Sequence, residues 1–475
     1  MSSLLPGCDS AGAQCTTASP GTSSHPNLVL VTTILASSLA FVDGSVVNVA
    51  LPTLAQNFNA DASAQQWVIN SYLLPLSALL LLGGAAGDHF GRRRLLILGT
   101  SLFALASLGS ALAPDLPALF ASRLLQGIGA AMLMPNSLAI LGQTFSGASK
   151  GRAIGIWAAT GAAMAAIGPV LGGWLIDLGS WRAIFLLNLP PACGAIILAW
   201  RIVPQDPRSK TYPLDTIGGL LATISLAALT WALTVGSSRR GWTPAALTAA
   251  VIAVLSLLIF LRLESARGAR AMMPMALFAS KSFVGLTLFT FLLYGAMAGL
   301  LVLLPYVLIK TADYSATAAG AALLPMPLIL TVTSPVAGAL VGRIGTRLPL
   351  GIGPLVVAAG FLMALRMDSS ASYWTQVLPM ILVIALGMSA AVAPLTTAVL
   401  TSVDPEHTGS ASGINSAVAR TGGLVATALL GFVLAAAGER LVAAYRTAMG
   451  IGALVCATAS LCAFALLDRT KPVAN

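Results

Sequence analysis

The chain has 475 residues and a net charge of +10, and 57% of its residues are hydrophobic against 8% charged. With a mean hydropathy of +0.89, this excludes a water-soluble domain and a disordered chain, and leaves an all-α polytopic membrane protein. The positive charge would suggest nucleic acid in a soluble chain; here the cations sort along the loops by membrane side, no basic aromatic patch remains, and the expected surrounding is a lipid bilayer.

Residues 1–26 are rich in Ser, Thr, Gly and Pro, with Asp9 as the single acid and no Lys or Arg. A signal peptide needs a basic start and an apolar core, so the stretch is expected to be a disordered cytoplasmic tail. The five cysteines, Cys8, Cys15, Cys193, Cys456 and Cys462, have no metal-ligand spacing and no evident disulfide partners. No metal and no cofactor are expected.

Apolar runs of the length needed to cross a bilayer number about fourteen. They fall near 27–50, 64–86, 95–113, 117–140, 153–175, 183–203, 214–235, 244–262, 283–309, 317–341, 348–366, 373–399, 409–437 and 443–467. Most of the 25 Lys and Arg, including Arg92, Arg93, Arg94, Lys150, Arg152, Arg208, Lys210, Arg262, Arg267, Arg270, Arg343 and Arg347, then lie on the side of both termini. By the positive-inside rule that side is cytoplasmic.

In the first run, Asp43 sits deep in the stretch Phe41 to Pro52, where a charge costs roughly 2.5–3.5 kcal/mol on insertion scales. The other fourteen acids can be placed at helix ends, in loops or in the tail. Asp43 therefore reads as a protonation site, the bland alternative being a polar packing residue. With Pro52 taken as the outer end of the helix, Asp43 lies about 13 Å down at 1.5 Å per residue, and Arg123 about 9 Å down from Pro117. The two can meet in one half, and a cation beside a desolvated acid is a means of loading and releasing a proton.

After the second run, Gly84 and Gly91 are expected to permit a tight turn and close backbone approach, with Asp88, Arg92 and Arg93 available to bridge the two halves. In the fifth run, Gly168 and Gly172 place small residues on one face for close helix approach, and Pro169 removes a backbone hydrogen bond and lets the helix bend. Asp215 and Gly218 read as a capping and interface feature at the start of the seventh run, not as a coupling site. Arg420 is a second deep cation with no assigned acid and reads as a cavity candidate, the alternative being a structural hydrogen-bonding role. Trp67, Asn70, Tyr72, Phe291, Tyr294 and Asn415 suit the wall of a cavity for amphipathic organic molecules, although most aromatics on such helices serve packing.

The chain also repeats itself. Gly84 to Arg93 aligns without gaps on Gly338 to Arg347, and Gly151 to Gly173 on Gly409 to Gly431 at nearly the same offset. Two duplicated halves of six helices therefore flank an inserted pair, the build of many secondary transporters. The expected division is 1–26 tail, 27–203 first bundle, 204–270 inserted helices and flanking loops, 271–467 second bundle and 468–475 tail.

These residues resemble the major facilitator superfamily, within it the fourteen-helix drug:proton antiporters. Val42 to Pro52 is similar to the family's first-helix motif, Gly84 to Arg94 to its loop motif, and Leu119, Arg123, Gln126, Gly127, Gly129, Ala130 and Ala131 to its fourth-helix motif. Gly161 and Gly168 to Gly173 match the fifth-helix motif associated with exporters. His89, Met164 and Gly342 depart from the pattern, and the family's additional deep acids are absent. The resemblance implies proton coupling through Asp43, Arg123, Asn48 and Gln126. It also implies a latch in which Asp88 meets the N-terminus of the helix starting near Leu348, and a hinge using Gly161, Gly168, Pro169, Gly172 and Gly173. The implied activity is export of drugs or other amphipathic compounds in exchange for protons, by a monomer in the cytoplasmic membrane. Alternatives are a dedicated exporter of one endogenous metabolite, antibiotic or siderophore, and, more remotely, a polytopic membrane enzyme, for which no catalytic residue set is present.

Overall fold

The computed structural model describes residues 25–205, 215–238, 241–268, 273–369, 371–403 and 408–467. Nearly all of the tail expected at 1–26, the tail at 468–475, and Arg208, Lys210 and Arg270 of the charge pattern lie outside the described residues.

Among the described residues, 14 helices are long and apolar enough to cross a membrane. In the first half these are α1 (Pro26–Asn57), α2 (Ala62–Phe90), α3 (Arg92–Ala111), α4 (Leu116–Thr144), α5 (Ser149–Asp177) and α6 (Ala183–Ile202). The inserted pair is α7 (Thr216–Gly236) and α8 (Pro244–Arg267). The second half has α9 (Lys281–Thr311), α10 (Ala316–Ser334), α11 (Arg347–Arg366), α12 (Tyr373–Thr401), α13 (Ala411–Leu434) and α14 (Glu439–Leu466). Helix α1 does not end at Pro52 as expected but continues to Asn57. A single proline removes only one backbone bond, and α1 is packed by its neighbours on either side of it.

Several acids placed at helix ends by sequence act as caps. Asp61 accepts from the Ala64 amide at 2.7 Å, Asp115 from Ala118 at 2.9 Å, and Asp215 from Gly218 at 2.7 Å. Each occupies one of the donors that a helix start leaves without a partner.

The duplication is visible in the packing. In the first half α1 packs on α4, α5 and α6, α2 on α4, and α3 on α4 and α6; in the second, α9 packs on α13 and α14, α10 on α12, and α11 on α12 and α14. Matching glycines make matching crossings. A Cβ on Gly129 would meet the Gly99 carbonyl at 2.8 Å, and one on Gly387 the Gly353 carbonyl at 2.7 Å. In the two copies of the loop motif, Gly91 and Gly345 close their helices at φ of +98° and +76°, which a side chain would oppose. The inserted pair α7 and α8 pack on each other, and α7 lies against α2 and α13.

The halves meet through α1 with α9, α2 with α13 and α5 with α10. At the end where α1 finishes, this seam is closed. At the opposite, basic end, which carries Arg92, Arg93 and Arg94, Val332 of α10 and Val336 just past its stated range are 73% and 69% exposed. Much of the start of α5 is exposed there too.

Candidate functional site

Helix α1 buries Asp43 completely, and α4 brings Arg123 to it as a direct ion pair, with Arg123 only 1% exposed. The pair is held by a further group of α4 and by groups from three other helices of the same half, α2, α3 and α6. Gln126, one turn along α4, donates to Asp43 at 3.2 Å and accepts from Arg123 at 3.1 Å. Asn188 of α6 donates to the same Asp43 oxygen at 3.3 Å. Ser107 of α3 accepts from Gln126 at 2.7 Å and from Asn188 at 3.3 Å, and Ser110 donates to Gln126 at 3.1 Å. Arg123 also donates through Nε to the Val68 carbonyl of α2 at 3.2 Å, and its guanidinium carbon stands 4.5 Å from the centre of the Tyr72 ring.

Asn48, expected with this group, takes no bond in it among the described residues; five residues from Asp43 on a helix, it points to another face. Asn188, Ser107 and Ser110 are additions. Asn188 carried a signal, since it is an amide inside the apolar run Phe185 to Leu189.

Directly beside Asp43, α1 is crossed by α5. A Cβ on Gly161 would meet the Phe41 ring at 2.5 Å, one on Gly168 would run into Ser45, and one on Gly172 into Val46. The next glycine faces the other half: Gly173 lies on the Ala316 carbonyl of α10, and Gly320 returns the contact on the Pro169 carbonyl. Helix α5 thus touches α1, which carries Asp43, with one face and the opposite bundle with another. At its end, Asp177 accepts from the Ala316 and Thr317 amides at 3.2 and 2.9 Å and from the Thr317 hydroxyl at 2.5 Å. In the sequence Asp177 is one of the fourteen acids placed at helix ends, in loops or in the tail, with nothing to mark this reach.

The same end of the seam is bonded between α2 and α13. Asn70 accepts from Thr427 at 2.5 Å, and Gln66 donates to the Thr427 and Ala428 carbonyls at 3.0 and 2.9 Å. Asn70 is fully buried, so it serves here as a closure between halves rather than an open wall. Tyr72 is 1% exposed and donates to the Ala40 carbonyl at 3.2 Å, which places it within the first bundle. Asn415 accepts from Thr290 at 2.6 Å within the second bundle. Phe291 gives its backbone to a close approach by Gly422, and Trp67, Phe291 and Tyr294 are half-buried. Arg420 reaches across the seam, donating to the Met134 sulfur at 3.0 Å, within electrostatic reach of Tyr72.

The loop latch differs from expectation. Asp88 does not meet α11; it pairs with Arg92 of its own loop at 2.7 Å, with its side chain 60% exposed. Arg92 also reaches the Ala139 carbonyl at 3.2 Å, and Arg93 the Trp200 carbonyl. The reason is the state of the seam, closed at the far end and parted at this one. Gly84 differs as well, since Pro135 stands 3.5 Å from its would-be Cβ, an ordinary contact. The tight approaches are its neighbours, Gly83 on the Ala131 carbonyl and Gly87 on Asn136.

Two duplicated helical bundles, a buried ion pair in one of them and a seam closed at a single end define a polytopic membrane transporter fold. The model of the Major Facilitator Superfamily matches residues 33–289, 216–423 and 286–475. The chain belongs to that superfamily. It is 34% identical over 411 residues to the multidrug resistance protein Stp of Mycobacterium tuberculosis, covering 86% of this chain and 76% of that one. Against the methylenomycin A resistance protein of Bacillus subtilis it is 32% identical over 419 residues, covering 87% and 88%. Among solved structures, the partially occluded inward-open form of the xylose transporter XylE from E. coli overlays with a TM-score of 0.64 at 16% identity, over 94% of this chain and 99% of that one. That likeness concerns the fold.

Proposed function

We propose that this protein exports amphipathic organic compounds of the antibiotic or drug type across the cytoplasmic membrane in exchange for protons, by alternating access. The observation that carries the reading is the enclosed Asp43–Arg123 pair set against the α1–α5 glycine crossing. The names of the relatives support drug export. The two bundles at 27–203 and 271–467 act as the moving bodies, with the inserted helices between them, in a monomer. The basic end faces the cytoplasm, with both termini there, and the described conformation is inward-facing.

In this reading a proton reaching Asp43 cancels its charge, and the ion pair ends. Arg123 does not become an orphan, because the Val68 carbonyl, Gln126 Oε1 and the Tyr72 ring remain around it. The change is felt at Val42, Ser45 and Val46, where α5 rests on α1, and α5 in turn bears on α10 through Gly173. A proton crossing down its gradient supplies about 1.36 kcal/mol per pH unit, and about 2.3 kcal/mol per 100 mV for each charge moved.

The test is Asp43→Asn in everted vesicles. Substrate-induced proton release should vanish while substrate binding persists. Uphill export that stays sensitive to collapse of the pH gradient would assign coupling elsewhere. A susceptibility panel with and without expression separates a broad exporter from one dedicated to a single antibiotic or metabolite.

A further inference from the structure

Asp43 is not the sole buried acid. Glu264, close to the basic end of α8, is 0% exposed, so it is buried in a helix and not at an exposed helix end or in a loop as its sequence position suggests. Its Oε2 accepts from the Met273 amide at 2.6 Å, on the segment that leads into the second bundle. Its Oε1 is buried with no donor among the described residues. Across from it stands Asp215, whose side chain is 6% exposed. Asp215 Oδ1 accepts from the Gly218 amide at 2.7 Å and from Arg267, but Oδ2 is buried with no donor either. Both orphaned oxygens lie over the same glycine. A Cβ on Gly218 would be 2.6 Å from Asp215 Oδ2 and 2.8 Å from Glu264 Oε1, and the two carboxyls are within hydrogen-bonding reach.

Two unpaired carboxylate oxygens turned to each other in a buried site repel, whereas one proton between them satisfies both. We propose that Asp215 and Glu264 share a single proton, forming a second proton-binding site, separate from Asp43, that locks the inserted helix pair to the start of the second bundle. Glu264 carries the proton and donates through Oε1 to Asp215 Oδ2, and Asp215 stays ionised. Burial acts to raise Asp215, but the bonds from Arg267, Glu264 and the Gly218 amide outweigh it and hold it below the usual carboxylate range. Among the described residues the charged groups facing Glu264 are Asp215, which opposes its ionisation, and Arg267, which favours it. When Glu264 gives its proton to water, two adjacent carboxylates share one guanidinium and the knot of α7, α8 and the Met273 segment loosens. The lock therefore holds at low pH and weakens as pH rises through the titration of the pair.

The experiment uses the purified full-length protein in nanodiscs. Infrared spectra across a pH series should show a protonated-carboxyl band that is lost on raising pH, is absent in Glu264→Gln, and persists in Asp43→Asn. Thermal stability of the unsubstituted protein should fall over the same pH range, and that slope should flatten in Glu264→Gln, whose amide keeps a donor toward Asp215. Asp215→Asn gives a second reading, because its amide can donate to an ionised Glu264 and should remove the band. The proposal is overturned if the unsubstituted protein has no such band, or if the band survives in Glu264→Gln or Asp215→Asn. An unchanged stability slope in Glu264→Gln overturns the lock.

Discussion

The two halves share one fold but not one core. Carried across by the offset that puts Gly91 on Gly345, Asp43 falls on Met297; by the offset that puts Gly129 on Gly387, Arg123 and Gln126 fall on Ile381 and Ile384. All three counterparts are buried apolar residues. The second half closes the same helix pairings with hydrocarbon, so the ion pair in the first is not a requirement of the fold. A buried pair is in general weak evidence for stability, since desolvation offsets much of the attraction. Its presence in one half only is what supports a coupling role.

The largest expected effect breaks this comparison directly. Asp43→Leu removes not only the charge, as protonation does, but also the oxygens to which Arg123, Gln126 and Asn188 bond, and should cost on the order of 3–5 kcal/mol, read as a loss of folded protein after solubilisation. The double variant Asp43→Leu/Arg123→Leu makes the first half resemble the second and should recover most of the folded yield while remaining unable to couple. A double variant as unstable as the single one would show that the halves do not tolerate the same chemistry.

A second contrast lies along the seam, between two aspartates of the first half. Asp177 reaches the opposite bundle and occupies the free amides of α10, whereas Asp88, at the other end, is turned back on Arg92. The difference records which end is closed. Asp177→Ala removes a cap-like set of bonds worth about 0.5–2 kcal/mol, a shift of roughly 2- to 30-fold in the balance of states. Single-cysteine labelling near Thr317 should accelerate accordingly, and an unchanged rate would show that Gly173 and Gly320 close that end by themselves.

The smallest effect is expected at Asp88. Its exposed pair with Arg92 is worth on the order of 0.3–0.5 kcal/mol, so Asp88→Asn should leave folding and the described state nearly unchanged. The latch implied by the family resemblance, in which Asp88 meets α11 once the basic end closes, predicts that transport still falls. Normal transport together with unaltered labelling at both ends would leave the loop with a topological role alone.

What the sequence determined by itself follows from short-range rules. Fourteen spans, the duplication and the inserted pair were legible because length and hydropathy decide what crosses a bilayer, and because two gapless matches, Gly84 to Arg93 on Gly338 to Arg347 and Gly151 to Gly173 on Gly409 to Gly431, recur at nearly the same offset. Asp43 and Arg123 were legible as well: helical rise converts residue number into depth, and few charges lie deep. Only the tertiary structure decided which groups surround them. Asn188 and Ser107 come from helices that no local pattern ties to Asp43, and Asn48 was lost because five residues along a helix is a different face. The burial of Glu264, the reach of Asp177 across the seam and the self-pairing of Asp88 were likewise undecided in the chain. A residue at a helix end is exposed, capped or paired according to what packs over it, and in a protein whose halves move, that neighbour depends on which end is closed.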